Sequence, residues 1–169
     1  MFGIGEYIVY GSKGVCKVED ITHLEVPGAD KNRLYYVLSQ FDDASGKIYV
    51  PVDNDKVIMR KVISRDDAEN LIKNMPQIEE LWVSDDKKRE ARYKEAMRTC
   101  DYREWVSIIK TLYLRKKERT AQGKKVTALD EKYLKIAENE LYSELSLILN
   151  IPKKQMPDYI KEQLEKINC

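Results

Sequence analysis

The spacing of apolar and polar positions changes once along the chain, near residue 63. Before this point, five short segments rich in β-branched and aromatic residues are separated by turn sequences such as "GSKG" and "DDASG". The segments are "EYIVYG", "GVCKVEDIT", "LYYVLSQF", "KIYVPV" and "KVIMRKV". Their length and spacing predict five strands in a small barrel or a strongly bent sheet. Pro51 fits the end or the edge of the fourth strand, because proline cannot donate to a ladder.

After residue 63 the apolar positions recur at helical spacing. Three pairs have the pattern of a helix start: Ser64 with Asp67, Asp101 with Glu104, and Thr127 with Asp130. The stripes predicted to face the core are Trp105, Ile108, Ile109 and Leu112, then Leu134, Ala137, Leu141, Leu145 and Ile148, and after Pro157 Ile160, Leu164 and Ile167. The sequence therefore predicts an α+β protein, with a five-stranded β barrel in residues 1–63 and a compact all-α domain of about five helices in residues 64–169.

Composition narrows the class of protein. Apolar residues make up 43% of the 169 residues, enough for one ordinary domain or two small ones. No apolar run approaches the about 18 residues of a membrane span, and "MFGIGEYIVYG" lacks the pattern of a signal peptide. Cys16, Cys100 and Cys169 are far apart and fit neither a zinc site nor a disulfide framework, so we expect a reducing cytoplasm.

Groups that could carry catalysis are few. His23 is the only histidine, and no Ser, Cys or Asp motif accompanies it. "GIGEYIVYGSKG" lacks the third glycine of a dinucleotide-binding motif and the GK[ST] of a phosphate loop, so we interpret its glycines as turn residues. We expect no enzyme, no metal and no cofactor; an enzyme that uses scattered carboxylates stays an alternative.

Positive charge is concentrated in one segment of a nearly neutral chain. The net charge is +1, yet residues 101–135 carry ten Lys or Arg against five Asp or Glu. Arg103, Lys110 and Lys117 recur every seven residues and are predicted to share a face that is widened by Arg115, Lys116 and Arg119, with Lys124 and Lys125 in the next loop and Lys132 in the next helix. From charge alone, a solvated helix face and a nucleic-acid site are both open.

Trp82 stands in a short apolar island, "LWV", ahead of a highly charged helix. The pattern favours a buried tryptophan that anchors one helix on the next. The alternative is an exposed wedge that unstacks bases in a minor groove.

Several segments, in order over nearly the whole chain, resemble the CarD/CdnL-type bacterial transcription regulators. "MFGIGEYIVYGSKGVCKVEDI" is similar to the family's "F-x-x-G-[DE]-x-V-V-Y…G" opening, and "YYVLS" and "GKIYVPVDN" follow it. "RYKEAM", "IIKTLYLRKKER" and "ALDEKYLKIAENELYSELSLIL" are similar to the family's helical domain. The resemblance implies a Tudor-like β domain that docks on the β-subunit lobe of bacterial RNA polymerase. It also implies a helical domain that contacts promoter DNA at the upstream edge of the melted bubble.

The resemblance also implies roles for single residues. For polymerase binding these are Leu24, Arg33 and Tyr49; Leu24 and Tyr49 stand near positions where the family has basic side chains. The family's minor-groove tryptophan falls near Arg89, seven residues after Trp82, so either Trp82 acts from a shifted position or this branch lacks the wedge. Including the basic run, the expected DNA-binding residues are Trp82, Arg89, Arg92, Lys94, Lys116, Lys117, Lys124, Lys125 and Lys132.

The function implied by the resemblance is regulation of transcription initiation. The protein would bind polymerase, touch promoter DNA weakly and without sequence specificity, and modulate the stability of the open complex. The alternative is a protein–protein adaptor, whose β domain binds polymerase or a repair factor while the helical half binds another protein. We expect a monomer in the bacterial cytoplasm, associated with the nucleoid through polymerase.

Overall fold

The computed structural model describes residues 1–83 and 85–168. Contacts divide the chain into two units, Met1–Val62 and Ile63–Cys169. The sequence-based junction lay one residue later, between Ile63 and Ser64. The first unit is a sheet and the second is helical, so the α+β fold class is as predicted.

Five strands form one antiparallel sheet in the first unit. They are β1 (Tyr7–Tyr10), β2 (Gly14–His23), β3 (Leu34–Gln40), β4 (Ile48–Pro51) and β5 (Met59–Lys61). Their order is β4-β3-β2-β1-β5, which leaves β4 and β5 at the edges. A bulge between Val18 and Asp20 interrupts the register of β2 on β3 and bends the long strand. Pro51 ends the edge strand β4, where its missing N–H removes no ladder bond.

The main apolar cluster of the sheet lies on one face and consists of Ile8, Cys16, Val18, Tyr36, Leu38 and Val50, all buried. Val9, Val15 and Val37 alternate with these residues along the strands and are buried as well. Ile8 of β1 is opposite Cys16 of β2 in the register, so the thiol packs as a small apolar side chain. The Tyr36 hydroxyl reaches the chain start and accepts a hydrogen bond from the Phe2 N–H at 3.0 Å.

Five α-helices make up the second unit. They are α1 (Arg65–Asn74), α2 (Arg89–Arg98), α3 (Tyr102–Ala121), α4 (Ala128–Leu149) and α5 (Met156–Ile167). The three predicted starts are confirmed, because the side chains of Ser64, Asp101 and Thr127 each accept a backbone N–H of the first turn. Asn150 ends α4 in the left-handed region, with φ of 55°. Its N–H donates to the Ser146 carbonyl, a usual helix terminus for asparagine.

The helical core follows the predicted stripes, with shifts at their ends. All four residues of the α3 stripe are buried, and so are Ala137, Leu141 and Leu145 of α4, the helix that α3 packs against. Leu134 and Ile148 are only half-buried. The buried stripe of α4 is shifted by one residue at each end, where Tyr133 and Leu149 are buried instead. Ile167 was predicted to face inward and is half exposed; it is the last residue of α5, where few neighbours cover a side chain.

A buried carboxylate secures the first residue of the helical unit. Glu144 of α4 is almost inaccessible to solvent, and its Oε2 accepts the Ile63 N–H at 2.8 Å. A buried backbone N–H needs such a partner. The backbone just before α1 is thereby fixed to α4.

Candidate functional site

The exposed lysines of the basic segment lie along α3, the following loop and the start of α4. They are Lys116, Lys117, Lys124, Lys125 and Lys132. None has an ion-pair partner among the residues that the structure describes. Their ammonium groups are therefore open to an external anion.

Lys110 departs from the predicted basic face. Its Nζ donates to the carbonyl oxygens of Met75, Pro76 and Ile78, at the 3-10 turn that follows α1. The seven-residue spacing predicts an exposed position, but the long side chain reaches over the helix surface and donates to three carbonyl groups at the end of α1 and in the turn that follows. Lys110 therefore has a structural role.

Arg115 also has a partner within the protein, a buried carboxylate. Its Nε donates at 2.8 Å to Oδ2 of Asp130, whose side chain is only 3% exposed. The other oxygen of Asp130 accepts the Tyr93 hydroxyl at 3.1 Å. This cluster joins α2, α3 and α4, and burial raises the pKa of Tyr93, so the phenol stays protonated and donates.

Arg89, expected at the DNA surface, is a partner in the same network. Its Nε donates to Asp86 Oδ1 at 2.7 Å, and its Nη1 donates to the Tyr93 hydroxyl oxygen at 3.2 Å. The side chain is only 17% exposed. Arg89 is therefore mostly buried, whereas the lysines of the basic segment are exposed.

Arg92 and Lys94 lie on exposed parts of α2 in loose ion pairs. Arg92 is 3.7 Å from Glu95 and 3.9 Å from Glu104, and Lys94 is 3.3 Å from Glu90. Exposed pairs such as those with Glu95 and Glu90 contribute about 0–1 kcal/mol, so an external phosphate can replace these two carboxylates at little cost.

The predicted burial of Trp82 is wrong: the residue is 77% exposed. Residues 79–83 form neither a helix nor a strand, and the neighbouring Leu81 takes the buried position instead. The Leu81 N–H donates to Thr111 Oγ1 of α3 at 2.7 Å, which fixes the backbone next to Trp82. Trp82 lines a shallow groove together with Val83, Lys88, Ala91, Arg92 and Glu95.

The three residues expected to bind polymerase lie toward one edge of the sheet. Leu24 and Arg33 flank the pair formed by His23 of β2 and Leu34 of β3. Tyr49 lies in the edge strand β4 opposite Val37 and is 52% exposed. The Arg33 Nε donates to Asp53 at 2.8 Å, a bond that lowers the pKa of this exposed carboxyl. Leu24 is half-buried, so Tyr49 and Arg33 are the more accessible of the three.

Comparison with known families decides the identity of both units. The family model described as CarD-like/TRCF RID domain matches residues 2–63, and the model described as CarD, C-terminal domain matches residues 70–161. The chain belongs to the CarD family. Its β unit is accordingly an RNA polymerase-interacting domain, and the protein is a transcription-associated, polymerase-binding protein. No curated protein matched the chain.

Two kinds of feature, a metal site and a membrane-spanning helix, were sought in the described residues of this CarD-family protein. Over residues 1–83 and 85–168, no group of three or more His, Cys, Asp or Glu side chains is placed to hold a metal ion. Over the same residues, no helix is long and apolar enough to cross a membrane. Proteins of the CarD family are transcription factors and not enzymes.

Sequence analysis missed Asp86, Tyr93, Asp130 and the groove residue Lys88. Asp130 had been interpreted only as part of a helix start, and Thr127 Oγ1 does accept its N–H at 3.1 Å. Its buried carboxylate carried no local signal, because its partners are 15 and 37 residues away. Asp86 and Arg89 did have a signal, a spacing of three residues typical of a helical ion pair.

We expect Arg115→Ala to destabilise the helical unit and Lys116→Ala to leave it unchanged. Removal of Arg115 leaves the buried Asp130 without its cation, which costs about 3 kcal/mol or more in the free energy of unfolding. Lys116 is exposed, so its loss should change that free energy by less than about 0.5 kcal/mol. Urea unfolding followed by the helical circular dichroism signal compares the two neighbours. Equal stability of both variants would contradict the role given to the cluster.

Proposed function

We propose that this CarD-family protein docks on the β-subunit lobe of RNA polymerase through the β4 edge of its sheet. The helical unit then contacts promoter DNA at the upstream edge of the melted bubble and changes the lifetime of the open complex. The exposed Trp82 beside Arg92 and Lys88 is the observation that carries the DNA part. A large aromatic side chain so exposed, within a groove that has cations on its rim, is typical of a binding surface.

Trp82 has the exposure and chemistry that a minor-groove wedge needs, although it stands seven residues before the family's tryptophan position. Apolar side chains that enter between base steps unstack them and bend the duplex, and neighbouring basic side chains hold the backbone phosphates. Leu81 fixes the main chain under Trp82, so the indole is presented from a firm support. The bases at the edge of a melted region are already partly unstacked, which lowers the cost of insertion.

The exposed lysines suit weak tracking of phosphates. Neutralising about four phosphates gives a salt slope near −3.6 for B-DNA. A protein of net charge +1 has little general attraction to free DNA, so polymerase must present the promoter. Two weak contacts in one chain then reinforce one another through effective concentration.

The edge strand β4 suits the docking on polymerase. An edge strand offers unpaired backbone N–H and C=O groups to a strand of a partner. Tyr49 on this strand adds an exposed aromatic ring, a residue type often found at binding hot spots.

We expect Tyr49→Ala to weaken binding of the full chain to the polymerase β-subunit lobe about tenfold or more, as truncation of an aromatic hot spot does. The matched control is Ile58→Ala, which shortens another exposed apolar residue on the opposite, β5 side of the same sheet. Calorimetric titration of the isolated lobe measures both. If the control loses as much affinity as Tyr49→Ala, the docking edge is wrongly assigned.

Charge reversal at Lys116, Lys124 and Lys125 should shorten the open-complex lifetime and leave binding to polymerase unchanged. Each phosphate contact that is lost reduces the steepness of the salt slope by about 0.9. The control reverses Lys73, Lys161 and Lys166, which are exposed on α1 and α5 and give the same net charge. An unchanged lifetime in the first variant, with polymerase binding retained, would favour the adaptor function.

Trp82→Ala should shorten the open-complex lifetime without loss of stability. The side chain is mostly exposed, so its truncation should alter the free energy of unfolding by less than about 0.5 kcal/mol. Trp82→Phe keeps an apolar ring and should retain part of the effect. The decay of promoter complexes after addition of a competitor measures the lifetime, and an alanine variant that behaves as the wild type would exclude the wedge.

A further inference from the structure

One exposed carboxylate lies against two arginines of the helical unit, and a third arginine lies one turn farther along α3. Asp86 Oδ1 accepts the Arg89 Nε–H at 2.7 Å and is 3.6 Å from Arg115 Nη1. Arg119 follows Arg115 by four residues on α3, so the two share a face of the helix, and the charge of Arg119 also lowers the pKa of the Asp86 carboxyl. The side chain of Asp86 is 79% exposed, whereas those of Arg89 and Arg115 are 17% and 19% exposed. Asp86 therefore lies on the solvent side of Arg89 and Arg115.

Each arginine also donates a hydrogen bond to a different group of the protein, apart from Asp86. Arg89 donates to the Tyr93 hydroxyl, Arg115 to Asp130, and Arg119 to the Lys125 carbonyl at 2.8 Å. These bonds use one part of each guanidinium fork and fix its direction. The positions of the three cations thus do not depend on Asp86 alone, and they form a site that is organised in advance for an oxyanion.

The arginines hold the Asp86 carboxylate on one side, and its other side is exposed to solvent. It lies in a short 3-10 turn, Asp86–Lys88, and its contacts to the arginines face solvent. The hydrogen bond from Arg89, and next the charge of Arg89, lower the pKa of Asp86, with smaller contributions from Arg115 and Arg119. The carboxylate is therefore ionised near neutral pH, but an exposed ion pair of this kind is weak and an external anion can replace it.

We propose that Arg89, Arg115 and Arg119 form an oxyanion site for a backbone phosphate of DNA, in which Asp86 occupies the phosphate position when DNA is absent. This inference rests on the proposed contact of the helical unit with DNA, and it adds Arg115, Arg119 and the competing Asp86 to that surface. Arginine forks bind phosphate oxygens in two parallel hydrogen bonds, which one shared carboxylate oxygen cannot satisfy for all three.

Competition from Asp86 has a definite consequence for specificity. Free DNA must displace the carboxylate, so Asp86 weakens binding to any duplex that diffuses in. DNA presented by polymerase is already close at hand, so its phosphates compete at a high effective concentration. Asp86 therefore restricts the DNA contact to the polymerase-bound protein, in agreement with the nearly neutral net charge.

The test is Asp86→Asn in the full chain, with Glu165→Gln as the control. Asparagine keeps an oxygen that can accept from Arg89 and removes only the charge. Glu165 is an exposed residue of α5, and its change alters net charge by the same amount. Binding of a short DNA duplex is measured by fluorescence anisotropy over a range of salt. Binding of inorganic phosphate is followed by the NMR signals of the arginine Nε–H groups.

We expect Asp86→Asn to bind the duplex about eightfold more tightly at about 0.1 M salt, with a salt slope steeper by about 0.9, because one more phosphate is neutralised. Inorganic phosphate should also shift the signals of Arg89, Arg115 and Arg119 at lower concentration than in the wild type. The control should match the wild type in both measurements.

Three results would overturn the inference. Equal gains in Asp86→Asn and Glu165→Gln would mean that net charge alone is responsible. No gain for either ligand would mean that Asp86 does not compete. A gain for inorganic phosphate without one for the duplex would mean a site for free anions. The lysine-reversal and Trp82 variants test the proposed function separately, since their effects on promoter lifetime do not depend on Asp86.

Discussion

The arrangement of α2, α3 and α4 depends on one buried carboxylate, Asp130. Arg115 of α3 and Tyr93 of α2 occupy its two oxygens, so a single residue of α4 connects three helices. A buried ion pair of this kind adds little net stability, because desolvation offsets most of the attraction. Its contribution is geometric: the half of α3 that carries the exposed lysines has a fixed position relative to α2, which carries Arg92 and Lys94.

The network separates the basic residues into two groups with different chemistry. The arginines at 89, 115 and 119 are bonded to groups of the protein and keep fixed directions. The lysines at 116, 124 and 125 extend from the surface as mobile point charges. Guanidinium groups suit sites of defined geometry, and ammonium groups suit contacts that move along a phosphate chain. A basic run that looks uniform in sequence thus contains two kinds of cation.

Secondary structure could be predicted because the bonds that define it are local. Ser64, Asp101 and Thr127 cap helices through N–H groups two or three residues away, and Asn150 ends α4 within one turn. The surroundings of single side chains could not be predicted in this way. Trp82 is exposed because Leu81 is held by Thr111, 30 residues away, and Lys110 is half-buried because it donates to carbonyl groups more than 30 residues earlier. Periodicity carries no information about such distant partners.

The functional evidence differs between the two units: it is family membership for the sheet and the arrangement of charges for the helical unit. Family membership identifies the sheet as the polymerase-interacting domain, and the exposed edge strand β4 is physically suited to that contact. In the helical unit, Arg89 and Arg115 are paired with carboxylates of the same unit, whereas Lys116, Lys124, Lys125 and Trp82 are exposed. We expect such a surface to have little affinity for DNA in solution and enough for DNA already held nearby. In the function proposed above, dependence on polymerase would therefore be a property of the charge arrangement within the helical unit as well as of the docking domain.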